Sequence, residues 1–195
     1  MKEFNVPVKD QICTVEIPFT TPIPLVGENI VIEGKDYEVA DIQFLSAGTD
    51  SATYQFTVLR PKSIIIMMGP PGSGKTTYCA TNLPTYQRVS QDEQGKKGYL
   101  KVFERMLANG VREIVVDRMN QNKQQRAKFL NAAKLNGYST TIIFLHTPTE
   151  VCRERIEARK NHKFEARDCQ IALGVFNTSF ESPTKDEADQ LIFKG

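Results

Sequence analysis

Residues 69–76 read Gly-Pro-Pro-Gly-Ser-Gly-Lys-Thr, which fits G-x-x-x-x-G-K-[ST] at every defined position. The run follows the wholly apolar Ile64-Ile65-Ile66-Met67-Met68 and precedes a helical pattern, the setting in which such a loop cradles phosphates. Gly69, Gly72 and Gly74, with Pro70, Pro71 and Ser73 between them, allow the backbone to curl until its N–H groups form an anion nest. The positive end of the following helix, entered through Lys75, Thr76 and Thr77, adds to that field. Lys75 supplies a mobile charge for the β- and γ-phosphates, and the Thr76 hydroxyl suits a Mg²⁺ ion. A second apolar run, Ile114-Val115-Val116-Asp117, ends in a carboxylate placed to hold the metal or its waters.

Binding a nucleotide is not yet transferring its phosphate, because switches and motors share the loop. Transfer to a hydroxyl needs a base beside that hydroxyl, and Asp92 in Val89-Ser90-Gln91-Asp92-Glu93 follows an apolar strand pattern at the same carboxyl edge. The bland alternative for Asp92 is a helix N-cap. Cations must also neutralise charge on the transferred group, and Arg155 and Arg159, at i and i+4 of one helical pattern, form a candidate lid. A solvated helix with Glu154 and Glu157 is the competing reading there, and His162 reads as a polar loop residue.

These side chains require strand ends arrayed along one edge. From Ser63 onward, strand patterns at 86–90, 113–117, 140–146 and 191–193 alternate with helical ones at 75–82, 98–109, 123–136, 148–160 and 166–176. That alternation predicts an α/β fold, a mostly parallel sheet flanked by helices. Asn109-Gly110 and Asn136-Gly137 supply helix stops. Residues 1–60 differ: CTVEIPF, ENIVIEG, KDYEVADIQFL and ATYQFTVLR are short β-rich runs separated by turn residues, predicting a small antiparallel sheet or barrel. The expected division is a small acidic β-rich domain at 1–60 and a kinase-like domain at 61–195, with its lid near 149–165.

The chain has 195 residues, 40% of them hydrophobic, enough for both parts. Its net charge of +2 is uneven, since residues 1–60 hold four basic against nine acidic side chains, a formal −5, leaving +7 for the rest. No run approaches the roughly 20 apolar residues of a membrane span, and the first ten residues lack a signal-peptide core, so the expected setting is the cytoplasm. The four cysteines, Cys13, Cys79, Cys152 and Cys169, are widely spaced, without a C-x-x-C pair, and read as reduced thiols.

Taken together, the phosphate loop, Ser90-Gln91-Asp92, and Asp117-Arg118-Met119-Asn120 with the later Arg126 resemble the P-loop polynucleotide 5′-hydroxyl kinases, including the kinase domain of fungal-type tRNA ligases. The resemblance spans about residues 63–162. It implies Asp92 as general base, Asp117, Arg118, Asn120 and Arg126 along the acceptor side, and Arg159, then Arg155, as lid arginines touching the nucleotide. Departures from the family pattern are Ser90-Gln91, where Asn-Arg or Asn-Asp is frequent, and the basic residue after the base, for which Lys96 or Lys97 could stand in. Residues 1–60 have no counterpart in the resemblance.

The reading this supports is Mg²⁺-dependent transfer of the γ-phosphate of ATP, with GTP as an alternative donor, to a nucleic-acid hydroxyl, foremost the 5′-hydroxyl end of RNA or DNA. A basic catalytic part suits a polyanionic acceptor. The same chemistry on a hydroxymethylated base such as 5-hydroxymethyluracil in phage DNA, in a phage-infected host cell, or on a nucleoside or other small metabolite, is the second reading. A nucleotide-dependent binding switch is the third, and it leaves Asp92 without a task. Residues 164–177 are expected to contribute to donor-base choice, and 180–187 reads as an exposed loop and helix start, with an edge of the site as the alternative. The sequence leaves the oligomeric state open.

Overall fold

The computed structural model describes residues 2–4, 11–158 and 165–195, arranged as two compact units, Met1–Pro61 and Lys62–Gly195. The first contains β1 (Lys2–Phe4), β2 (Ile12–Pro18), β3 (Asn29–Ile32), β4 (Lys35–Ala47) and β5 (Ser51–Leu59). They form one sheet in the order β1-β3-β4-β5-β2, antiparallel except for β1 against β3. Strict alternation in β2 puts Cys13, Val15 and Ile17 inside, where they meet Ile30, Ile32, Val39, Phe56 and Val58. The β3–β4 hairpin turns on Glu33 and Gly34, both at positive φ (50° and 71°), which is the twist two-residue hairpin turns demand.

The second unit contains β6 (Ser63–Met68), α1 (Lys75–Asn82), β7 (Gln87–Ser90), α2 (Gln91–Ala108), β8 (Glu113–Asp117), α3 (Lys123–Leu135), β9 (Ser139–Leu145), α4 (Thr149–Glu157), α5 (Ala166–Ser179) and β10 (Gln190–Lys194). Its sheet runs β10-β9-β6-β8-β7, and every pairing is parallel. Buried on both faces, β6 divides its side chains by parity. Ile64, Ile66 and Met68 join Tyr99, Phe103, Phe129 and Phe176 of α2, α3 and α5, whereas Ile65 and Met67 pack with Cys79 of α1. The parallel sheet with helices on both faces, and the separate β-rich sheet before it, agree with the architecture read from the sequence.

Two local features depart from it. Helix α2 begins seven residues earlier than its apolar period suggests, because Gln91–Gln94 make a turn of their own before Gly95 (φ 76°, ψ 165°) breaks the backbone. Residues 180–187 form a turn and start no helix, and they are not wholly exposed. Glu187 is buried, Thr184 N–H donates to its Oε1 at 3.0 Å, and Glu181 Oε2 accepts from the Lys123 N–H at the start of α3 at 2.7 Å. All four cysteines are buried, and no helix among the described residues is long and apolar enough to cross a membrane.

Candidate active site

Three neighbouring strands, β6, β8 and β7, end together, with Met67 level with Asp117 and Asp117 level with Ser90. Polar groups at a parallel sheet's carboxyl edge face outward into the crevice where ligands of such folds bind. The loop leaving β6 turns through Gly69 (φ 150°), Gly72 (84°) and Gly74 (94°) into α1. Space as well as φ requires glycine here. A Cβ on Gly69 would stand 2.8 Å from Ser73 Oγ and 2.9 Å from Leu145 O, and one on Gly72 would stand 2.6 Å from Cys152 O. Lys75 Nζ curls back over the loop, donating to the carbonyls of Gly69 and Pro70 at 2.8 Å each and to Ser73 Oγ at 3.4 Å. Thr77, two residues on, is an exposed helical position.

Thr76 Oγ1 donates to Asp117 Oδ2 at 2.8 Å. A hydroxyl and a carboxylate in contact at the mouth of a phosphate loop are the hard oxygen donors that Mg²⁺ takes from protein, the remaining positions going to phosphates and water, so these residues fit the ion the sequence implies. The same Asp117 oxygen accepts from Arg88 Nη1 at 2.8 Å, and Arg88 also pairs with Glu93. Burial works against the Arg88 charge, yet the Asp117 hydrogen bond and charge outweigh it and hold its pKa above the usual value. Beneath the loop, burial, with the Asp117 charge second, pushes the Cys79 thiol up to about 12, so it remains protonated and is no nucleophile.

Asp92 is exposed in the first turn of α2, and the N-cap is Ser90, so Asp92 does not serve as the cap. The Gln94 side chain accepts from Ser90 N–H at 2.7 Å and thereby holds this turn closed. Arg118 lies over the Tyr99 ring, 4.4 Å from its centroid, and its Nε donates to Gln91 Oε1 at 3.0 Å. Burial lowers the Arg118 pKa, against the pull of Tyr99 and of Asp92. Asp92, Arg118, Asp117, Thr76 and Lys75 therefore occupy one edge. From there Lys97, Lys101 and Arg105, all exposed and spaced i, i+4, i+8, run along α2 opposite buried Tyr99 and Phe103.

Asn120 and Arg126, expected beside the acceptor, are wholly buried. Asn120, left-handed at φ 47°, donates through Nδ2 to Met67 O at 2.7 Å. Arg126 makes a two-pronged pair with Glu187, Nε to Oε2 and Nη2 to Oε1 at 2.8 Å each, and Nη1 donates to the carbonyls of Asn120 and Glu181 at 3.1 and 3.0 Å. With every nitrogen engaged inside the fold, Arg126 has no face left for an acceptor; it braces the loop that carries Arg118. On α4, Arg155 Nη1 stands 3.4 Å from Gly72 O. Arg159 and His162 lie outside the described residues.

Sequence reasoning missed Arg88, Gln91, Tyr99 and Glu187. A charged residue inside the short strand pattern 86–90 was the one available signal for Arg88; the others depend on partners remote along the chain. Beside the phosphate loop lies a cavity of about 520 Å³, bounded by Pro70, His146, Thr147, Asn177 and the rings of Phe144 and Phe180.

A family model described as an AAA domain matches residues 93–176. The Schizosaccharomyces pombe bifunctional polynucleotide phosphatase/kinase is 26% identical over 147 residues, 74% of this chain and 36% of that protein. An Arabidopsis thaliana protein named transcription factor bHLH140 is 32% identical over 111 residues, 51% of this chain and 12% of that protein. The chain thus spans about a third or less of the length of these curated relatives. The unliganded structure of a sugar kinase from Janibacter sp. HTCC2649 superposes with a TM-score of 0.52 at 19% identity, covering 69% of this chain and 85% of that one, a likeness of fold. Fold and phosphate loop together define a P-loop kinase. Its sequence likeness is narrower: besides the Schizosaccharomyces pombe protein, a putative bifunctional polynucleotide phosphatase/kinase of Acanthamoeba polyphaga mimivirus is 29% identical over 145 residues, 71% of this chain and 34% of that protein.

Proposed function

We propose that the protein transfers the γ-phosphate of ATP to the 5′-hydroxyl end of an RNA or DNA strand. The observation that carries this reading is the exposed Asp92 carboxylate on a turn fixed by Gln94, at the same strand edge as Thr76 and Asp117 and within the field of Arg118. Asp92 accepts the proton of the acceptor hydroxyl as that oxygen attacks, and the phosphate loop with Lys75 holds the departing nucleoside diphosphate. Thr76 and Asp117 would hold Mg²⁺, which would supply charge neutralisation at the β- and γ-phosphates. Arg118, pinned by Tyr99 and Gln91, presents its remaining N–H groups to an acceptor phosphate; Asn120 and Arg126 position it through the backbone. Arg155, and Arg159 beyond it, close over the donor as a lid. The cavity beside Pro70 takes the donor base, with Phe144 and Phe180 as apolar walls and His146, Thr147 and Asn177 as the polar groups that choose it.

An acceptor longer than a nucleoside is favoured by the stripe Lys97, Lys101 and Arg105, whose spacing along an exposed helix face matches a backbone leaving the site. The test offers γ-labelled ATP and Mg²⁺ with a 5′-hydroxyl RNA, a 5′-hydroxyl DNA, and a 5′-phosphorylated duplex containing 5-hydroxymethyluracil. Label on the 5′-hydroxyl strands, lost in Asp92→Asn, is the expected result. Label on the modified duplex alone moves the acceptor to the base. Label on none of them, with nucleosides phosphorylated instead, moves it to a small molecule, and nucleotide binding without any transfer leaves the binding switch.

A further inference from the structure

Asp117 Oδ2 receives two donors at the same distance, the Thr76 hydroxyl and Arg88 Nη1, each at 2.8 Å. The Asp117 side chain is 4% exposed and that of Arg88 26%, so the pair lies at the boundary between core and crevice. Arg88 has a second partner within reach, Glu93, whose side chain is 53% exposed in the turn that bears Asp92. A guanidinium with five donors and two carboxylates can shift its weight from one to the other without leaving either. A divalent cation cannot share: it needs the carboxylate lone pairs toward which Arg88 donates, and a fixed positive charge beside them repels it.

We infer that Arg88 is a built-in competitor for the metal-binding carboxylate, setting how tightly this kinase holds its divalent cation, with Glu93 as the alternative seat that Arg88 takes when the cation is bound. This rests on the reading of Thr76 and Asp117 as the cation's protein ligands. It assigns to Arg88 a positioning role: the same guanidinium holds Asp117 and Glu93 of the turn carrying Asp92, so a cation that takes Asp117 shifts the weight of Arg88 onto that turn. The base and the metal site are thereby linked through one side chain, although Asp92 and Asp117 are on different strand ends.

Binding of Mn²⁺ to the ADP complex, followed by loss of the free-ion electron paramagnetic resonance signal, tests the competition without any phosphoryl transfer. Arg88→Met should tighten Mn²⁺ by about fivefold, the size of a partly buried charge interaction. Glu93→Gln should act in the opposite sense and weaken it by about twofold, because Arg88 then has only Asp117. In the double variant, Glu93→Gln should have no further effect, and Arg88→Lys, which keeps the charge, should remain close to the wild type. Unchanged or weaker Mn²⁺ binding in Arg88→Met overturns the inference, as does additivity in the double variant. If Arg88→Met does not fold, the Glu93→Gln titration decides alone: weaker binding supports the competition, no change ends it. Failure of the wild type itself to bind Mn²⁺ and ADP together would instead overturn the underlying assignment of Thr76 and Asp117.

Discussion

Among the described residues, the pairs Arg126–Glu187 and Arg88–Asp117 are built for opposite purposes. Arg126 and Glu187 have side chains 0% and 3% exposed and engage each other through two hydrogen bonds, with the remaining guanidinium donor on backbone carbonyls. Arg88 meets Asp117 through one hydrogen bond, remains 26% exposed, and shares itself with an exposed glutamate. Breaking a closed buried pair leaves an uncompensated charge in the core, whereas an open pair can exchange partners at little cost. The lesson is that burial and the number of satisfied donors, rather than the mere presence of an ion pair, separate a brace from a working part.

That contrast can be sharpened by variants that affect one quantity and spare the other. Asp92→Asn, on the open side, should lower phosphoryl transfer by about a hundred- to ten-thousandfold, the usual range for a general base, with its denaturant midpoint unchanged; parallel loss of stability would make Asp92 a structural residue. On the closed side, Arg126→Ala should cost about 3–5 kcal/mol in chemical unfolding, because Glu187 is then buried without its partner. The folded fraction should keep most of its kcat with a raised KM for the acceptor, because the loop carrying Arg118 loses its brace, and a collapse of kcat without loss of stability would return Arg126 to the acceptor.

Smaller effects follow along the same division. Replacing Lys97, Lys101 and Arg105 together by alanine should weaken a single-stranded acceptor and reduce the slope of log affinity against log salt by about 2, at roughly 0.7 per phosphate contact. Stability should remain the same, and an unchanged salt slope would remove this helix face from the acceptor path. Burial alone would raise the Glu187 carboxyl, but the Arg126 hydrogen bond and the Thr184 N–H outweigh it and hold it below the usual carboxylate range. The stabilisation from this pair is therefore complete above a pH of about 4.3, the ordinary glutamate value, and is lost as pH falls through the lower folded value. Acid unfolding of Glu187→Gln should lack that limb. Finally, Cys79, protonated to about pH 12, should resist iodoacetamide at pH 8 until the protein is unfolded, as mass spectrometry of the labelled peptide would record.

What could be read from the sequence was the part written locally. The phosphate loop, the acid-ended strand and the alternation of strand and helix are contiguous signals, and they placed Lys75, Thr76, Asp117 and Asp92 at one sheet edge. The partners of Arg126 were not legible, because Glu187 lies 61 residues away and is brought in by a turn that resembles ordinary surface sequence. Arg88 reaches Asp117 only because β7 pairs with β8 across the intervening helix. The early start of α2 was hidden for a different reason: Gln94 caps a turn that lacks apolar periodicity, and Gly95 then breaks it. The three-residue β1 carries too few side chains to show a pattern of its own.

The parallel sheet also dictates an order of events during synthesis. Strand β6 is the middle of the sheet, yet its two neighbours, β8 and β9, begin 50 and 76 residues later. At ribosomal speeds of about 5–20 residues per second, the apolar run Ile64–Met68 waits about 3–10 s before β8 can cover one of its edges. Such an uncharged β-forming segment is prone to pair with copies of itself. The nascent kinase unit is accordingly an expected client of chaperones that shield extended apolar segments, and its yield on overexpression should depend on them more than on the stability of the finished fold.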